Sequence, residues 1–349
     1  MKKQTFADKL AKRSFESAAV QKSWQAHMQV FGPILDPAFI DNYQARIDLT
    51  AALNYISNRE LKKGFQKLQS LQKSCVTDDD HAAWLFFMGL CLEMANMKED
   101  MLAYYQEAGE YGHKFYLPYL KIAKTAHNDA VFDVAENNYR KTIQCISEDK
   151  LDDQKKVILA SAYTNYASCL TMMHRYEEAA EALKNSADIL PEQKGRAAAE
   201  AILAAARGEA EKSQSFTESL AAQSPALYET TKKMVDDILE KKHPQFNRVT
   251  IEDGKIDAFW NWFVLNDSIL LQRLESEEYD TFSQMIQSKL REVFPFMERN
   301  LEFGIEPRGD FYQIIFADFY MVSLEYGYKG LIDAAPESLS KHWVFDIAH

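Results

Sequence analysis

Apolar side chains recur along this chain with the spacing of helix faces. Phe6, Leu10, Phe15, Val20, Trp24 and Met28 predict one N-terminal helix over residues 4–31, ended by Gly32-Pro33. Asp36-Pro37 then offers an N-cap with proline in the first turn, a start signal for the next helix. From there to about residue 190, helical segments of 12–18 residues alternate with polar breaks at Ser57-Asn58, Thr77 to Asp80, Ala95-Asn96, His127-Asn128, Glu148 to Lys150 and His174-Arg175. Residues 192–245 are dense in alanine (Ala197 to Ala199, Ala204 to Ala206). They predict two or three further helices, broken near Ser224-Pro225 and ending before His243-Pro244. Beyond 247 the pattern turns aromatic. Phe259-Trp260-Asn261-Trp262-Phe263 opens one helix and Tyr279 to Phe296 forms another. Glu306 to Gly309 is expected to be a loop. Asp310 with Gln313 resembles a capping box for an apolar helix Phe311–Tyr326, closed by Gly327.

The rhythm of the middle region hides a register. A small residue in one helix is followed twelve residues later by a second, usually small, site in the next helix: Ala52/Gly64, Gly89/Met101, Ala123/Ala135 and Ala167/Ala179. Four residues after each second member comes a large side chain, Leu68, Tyr105, Tyr139 or Leu183. Antiparallel helices approach closely where small residues face each other, and large ones a turn away fill the flanks. Successive units begin 37, 34 and 44 residues apart, so the loops vary while the packing spacing does not. Residues 192–245 do not show this spacing convincingly.

The best copy reads Tyr163-x2-Tyr166-Ala167-x2-Leu170-x8-Ala179-x3-Leu183-x2-Ser186-x4-Pro191. It resembles the tetratricopeptide repeat, over about residues 45–191. That resemblance implies an all-α solenoid of antiparallel helix pairs, whose first helices line a concave binding surface. By the same resemblance the concave positions are Arg46, Leu49, Leu53 and Ile56; Ala83, Phe86, Leu90 and Glu93; Leu117, Leu120, Lys124 and His127; and Ser161, Thr164, Ser168 and Thr171. Arg46, Phe86, Glu93, Lys124 and His127 are the candidates for contact with a partner. The apolar first two copies imply a filled groove, by the amphipathic N-terminal helix or by a partner helix. The expected organisation is a helix over 1–36, four helix pairs over 37–192, further helices over 193–246, and a C-terminal helical domain over 247–349.

Composition supports the all-α class. Gly (12) and Pro (9) are scarce in 349 residues, which disfavours sandwiches, barrels and Gly-loop nucleotide folds. The net charge of -12 is unevenly spread: residues 1–70 are net positive, with 11 Lys/Arg against 6 Asp/Glu. Residues 250–349 carry 18 acidic against 8 basic residues and 18 of the 43 aromatics. Such acidity opposes nucleic-acid binding and suits a basic protein surface. The four cysteines (Cys75, Cys91, Cys145, Cys169) form no CxxC pair and read as buried thiols of a reducing compartment. There is no signal-peptide pattern, and the longest apolar run, Ala82 to Leu92, is too short to span a bilayer. A cytoplasmic protein with no membrane partner is expected.

No Walker loop, GxGxxG, GxSxG or HExxH motif occurs. Asp78-Asp79-Asp80-His81 precedes an apolar helix and reads as capping and dipole compensation. No metal, cofactor or catalytic residue is expected. In the C-terminal region Trp260 and Trp262, with Glu277, Glu278 and Asp280, form a second candidate protein-binding surface. A helix with Leu290-x3-Phe294, a Gly-containing loop (Gly304 to Gly309), an apolar helix, Gly327, then Ile332-Asp333 and Pro336-x2-Leu339 resemble the tail of the Immunity protein 49 family. That likeness implies a bacterial protein that neutralises a cognate toxin by binding it, and the acidic balance of residues 250–349 implies that the toxin is basic and nuclease-like. The alternatives are a repeat adaptor or sensor taking a peptide in its concave groove, and an enzyme with an unrecognised helical site.

Overall fold

The computed structural model describes residues 6–31, 41–111, 115–147, 151–193, 195–297 and 300–348. The chain is predominantly α-helical and forms two compact units, Met1–Tyr166 and Ala167–His349.

The first unit begins with α1 (Phe6–Phe15) and α2 (Ala18–Phe31), where one helix was expected. The chain breaks at Glu16-Ser17, and the physical reason lies in α3 (Tyr43–Ser57). The break lets Phe15 and Trp24 turn onto the same helix, with Arg46 of α3 lying 5.0 Å and 5.8 Å from their ring centres. A continuous helix would send those two rings to different faces. Gly32-Pro33 and Asp36-Pro37 lie outside the described residues. Next come α4 (Leu61–Leu71), α5 (Asp78–Met94), α6 (Lys98–Tyr111), α7 (Tyr116–Asn128) and α8 (Phe132–Ser147); α9 (Asp153–Met172) runs on into the second unit. Helix α3 packs on α4, α5 on α6 and α7 on α8, each pair also touching the next in this stretch.

The twelve-residue spacing is the packing code of these pairs. Ala52, Ala123, Ala135, Leu68 and Tyr105 are fully buried. A Cβ on Gly64 would stand 2.7 Å from Ile56 Cγ1, and one on Gly89 would stand 2.6 Å from the Tyr105 ring. Helix α5 starts from a capping box: the Thr77 side chain accepts from the Asp80 amide, and the Asp80 carboxylate accepts from the Thr77 amide.

The second unit continues with α10 (Tyr176–Ile189), α11 (Arg196–Ala206), α12 (Ala210–Leu220) and α13 (Pro225–Leu239). Residues 192–245 turn out to carry the register after all. Ala201 and Ser213 are twelve apart, fully buried, and joined by a 2.8 Å hydrogen bond from Ser213 Oγ to the Ala201 carbonyl. Thr217 and Leu220 follow at the expected positions, both buried.

A turn recurs with the register. Seven residues after each first small residue stands a left-handed residue: Arg59 (φ 61°), Asn96 (58°), Ala130 (55°), His174 (60°) and Gly208 (77°). The following amide donates back to the helix, Glu60 to Tyr55, Met97 to Leu92, Val131 to Ala126, Arg175 to Leu170 and Glu209 to Ala204, at 2.8–3.0 Å. This is the six-to-one bond of a Schellman cap, in which a left-handed residue frees the chain to reverse while last-turn carbonyls stay bonded. Lys241 and Glu277 close two further helices in the same way.

Beyond α13 come α14 (Lys255–Glu275) and α15 (Tyr279–Val293), the latter ending three residues before the expected Phe296. The remainder departs from expectation. Residues Phe311–Ala317 are a strand, β2, paired antiparallel with β1 (Phe303–Arg308), where a loop and an apolar helix Phe311–Tyr326 were expected. Phe311 to Phe316 is rich in aromatic and β-branched residues, and Ile314 and Phe316 are buried on one face while Phe311 is exposed. Gly309 (φ 67°) and Asp310 link the strands, so Asp310 and Gln313 form no capping box. The helix comes later, α16 (Val322–Asp333), and Gly327 lies inside it rather than closing it. A Cβ there would clash with the Phe294 ring. Strand β3 (Trp343–Ala348) pairs parallel with β2, giving the order β1-β2-β3. Trp343 fills the core of this region, with ring centres of Phe263 at 5.2 Å and Phe282 at 6.0 Å.

Candidate functional site

Two sets of side chains were singled out, one in each unit. In the first, Arg46 lies in a cage of Phe15, Trp24 and Tyr43, the last at 5.2 Å, and pairs with Asp41 at 3.5 Å. Ser23 of α2 also donates to Asn54 of α3 at 2.8 Å. At this helix pair the N-terminal helices themselves cover the face, and Leu49, Leu53 and Ile56 are buried. Phe86 is 2% exposed, stacked 5.5 Å from Tyr105 and edge-on to Phe115 at 5.3 Å, as part of the core.

Glu93 is exposed and accepts from Tyr105 Oη at 2.6 Å and from Lys121 Nζ at 2.8 Å. Burial and the adjoining carboxylate push the Tyr105 hydroxyl well above its ordinary range, so it stays a donor. Lys121, not among the sequence candidates, thus links α5 to α7. Lys124 is exposed, with no ion-pair partner among the described residues. His127 is half-buried against Phe132 and Tyr139, and burial lowers its pKa, favouring the neutral ring. Thr164 and Thr171 of the hydroxyl row are buried and donate to carbonyls of their own helix, Ala160 at 3.0 Å and Ala167 at 2.8 Å.

In the second unit the tryptophans separate. Trp260 is 3% exposed and donates to the Leu331 carbonyl at 2.7 Å, among Phe259, Phe263 and Phe345. Trp262 is half-buried beneath Lys289. Glu277, Glu278 and Asp280 are exposed around the α14–α15 turn, where Glu278 pairs with Arg273. Between them Tyr279 is 54% exposed.

Sequence reasoning missed the outer face of α14. Val264, Leu265 and Ile269 are exposed there, Leu265 by 83%, with Ala258, Asn261, Ser268 and Gln272. None of those residues is charged. The signal was available as a charge-free run of i, i+3 and i+4 positions in an otherwise acidic region.

Searches against protein-family models and against curated proteins give no match. Among the described residues no three His, Cys, Asp or Glu side chains are grouped to hold a metal, and no helix is long and apolar enough to cross a membrane. Burial pushes the Cys75 thiol up to about 12, with Asp80 adding to the effect, and raises Cys91 as well. Both are poor nucleophiles at neutral pH.

Proposed function

We propose that this chain acts by binding another protein without catalysing a reaction, and more narrowly as an immunity-type inhibitor of a basic toxin. The observation that carries the reading is the α14–α15 hairpin. It exposes Leu265 and Tyr279, large side chains of the kind that anchor interfaces, and Glu277, Glu278 and Asp280 surround the tyrosine. Apolar anchors would supply affinity and the carboxylates would steer a cationic partner. The Immunity protein 49 resemblance supports this role through Leu290, Phe294, Gly327, Ile332 and Leu339, while the loop and the start of the apolar helix in that layout are strands β1 and β2 here. On the same reading the helix pairs are tetratricopeptide-type repeats, a view supported by their constant packing spacing and recurring left-handed turn.

Co-expression with the product of the adjacent gene tests the proposal. The expected result is relief of that product's toxicity and a stable complex, lost in Leu265→Asp and Tyr279→Ala variants that keep the wild-type circular dichroism. A wild-type chain that neither binds the product nor relieves its toxicity overturns the reading. Lys124, exposed and without an ion-pair partner among the described residues, favours a second one, a peptide adaptor. In that case a short acidic peptide binds and Lys124→Ala abolishes the binding.

A further inference from the structure

The three-stranded sheet has two edges, and they are not equivalent. On β1 the outer edge includes Pro307. Its register partner is Tyr312, whose amide donates to the carbonyl of His342, just before β3, so the Pro307 nitrogen faces away from β2 and offers no donor. On β3 the opposite holds. Tyr312 donates to the His342 carbonyl at 2.8 Å and Asp318 to the Ala348 carbonyl at 3.0 Å. With parallel register this turns the even-numbered residues of β3 toward β2, and the amides and carbonyls of Phe345 and Ile347 outward. The Ile347 amide accordingly bonds the side chain of its own neighbour, Asp346, at 2.8 Å. Among the described residues the sheet has no fourth strand.

Alongside this edge runs a groove of about 350 Å³, between β3 and α16. Its walls are Phe345, Asp346 and Ile347 from the strand, and Glu325, Lys329, Ile332 and Asp333 from the helix. Lys329 is paired with Glu325. Three carboxylates against one lysine leave the groove acidic around the apolar floor of Ile332.

We infer that the outer edge of β3 is a strand-addition site for an extended segment of a partner protein that alternates basic and apolar residues. Backbone bonds to Phe345 and Ile347 hold the added strand; its apolar side chains lie over α16 on Ile332, and its lysine or arginine side chains take the other face beside the exposed Asp346, with Asp333 adding to the attraction. A second copy of this chain is disfavoured as occupant. Pairing β3 with β3 would bring each copy's Asp346 and Asp333 toward the other's, and like charges across a strand pair destabilise it. The inference rests on the reading of a binding protein. Its test uses model peptides and not the proposed toxin, so either can fail alone.

The probes are two capped octapeptides of alternating valine with lysine or with glutamate, added to the full chain. Amide hydrogen exchange and fluorescence anisotropy are the readouts. The lysine peptide is expected to bind, more weakly as salt rises, and to slow exchange at Phe345 and Ile347. Ile347→Pro removes an outward donor without touching the β2 ladder and should abolish binding with the Trp343 near-ultraviolet signal unchanged. Should that variant misfold, the double variant Asp333→Lys, Asp346→Lys decides, because it should reverse the preference toward the glutamate peptide by about tenfold or more. Equal binding of both peptides, or no slowing of exchange at those two amides at millimolar peptide, overturns the inference. So does sedimentation of the free chain as a dimer that Ile347→Pro dissociates.

Discussion

The helix pairs and the C-terminal region after Thr250 bury their cores by different means. In the pairs, helices approach closely over small residues: Ala52 opposite Gly64, Gly89 beneath the Tyr105 ring, the Ala201 carbonyl accepting from the Ser213 hydroxyl. Every such contact joins residues less than twenty apart, so each pair specifies itself. In the C-terminal region the core is aromatic and long-range. Trp343 touches Phe263 and Phe282 and donates to Asp267 at 2.6 Å, partners separated from it by 61 to 80 positions. Local codes make an array that tolerates loops of varying length. Long-range aromatic packing makes one cooperative body that depends on its last strand.

The largest test of this contrast is Trp343→Ala, expected to cost about 3–5 kcal/mol through the cavity and the abandoned Asp267 carboxylate. Hydrogen exchange should then accelerate throughout residues 255–348 while amides of α5 and α6 keep their protection. Loss of protection in both regions would show that they do not differ as argued. Next in size, Gly89→Ala puts a methyl group against a ring that cannot retreat, since Tyr105 stacks on Phe86 and is tied to Glu93. Overpacking of this kind costs about 1–3 kcal/mol, measured as a lower denaturant midpoint. A neutral effect would mean the pairs are not held by close approach at that point.

The smallest effects come from the turns. Ala130 holds a left-handed conformation that costs an alanine about 1–2 kcal/mol, so Ala130→Gly should raise stability by up to about 1 kcal/mol after the unfolded-state entropy is charged. Gly208→Ala should lower stability by a similar amount. Nothing lies within 4 Å of a Cβ at Gly208, which leaves conformation as the sole cause. Thermal melts of the two variants check this, and shifts of the same sign would refute the equivalence of the turns.

The turns also show why parts of the fold could not be read. Glycine is the usual mark of a Schellman cap, yet here Arg59, Asn96, Ala130 and His174 fill that position and only Gly208 conforms. The fifth pair escaped notice because Ser213 and Thr217 stand where alanine and a large apolar residue were sought, and the compensating bond from Ser213 to Ala201 joins two helices. The β1–β2 hairpin is not legible in the sequence because Asp310-x2-Gln313 before an apolar run fits a helix start as well as a strand. What decides for the strand is pairing with β3, which lies about thirty residues downstream of its partners in β2. Among the candidate site residues, helical position alone did not tell whether a side chain is covered. Arg46 is caged by α1 and α2 and Phe86 is enclosed by Tyr105 and Phe115, whereas Glu93 and Lys124 reach the surface.

The helical class, and the twelve-residue register of the first four pairs, follow from residue size and spacing alone, because the contacts involved are local and a helix has a fixed period. The break after Phe15, the sheet, and the burial of Trp260 against the exposure of Leu265 follow from partners distant in the chain. A side chain's neighbours across such distances are set by which faces remain to be covered once the local elements have formed, and no period in the chain encodes that.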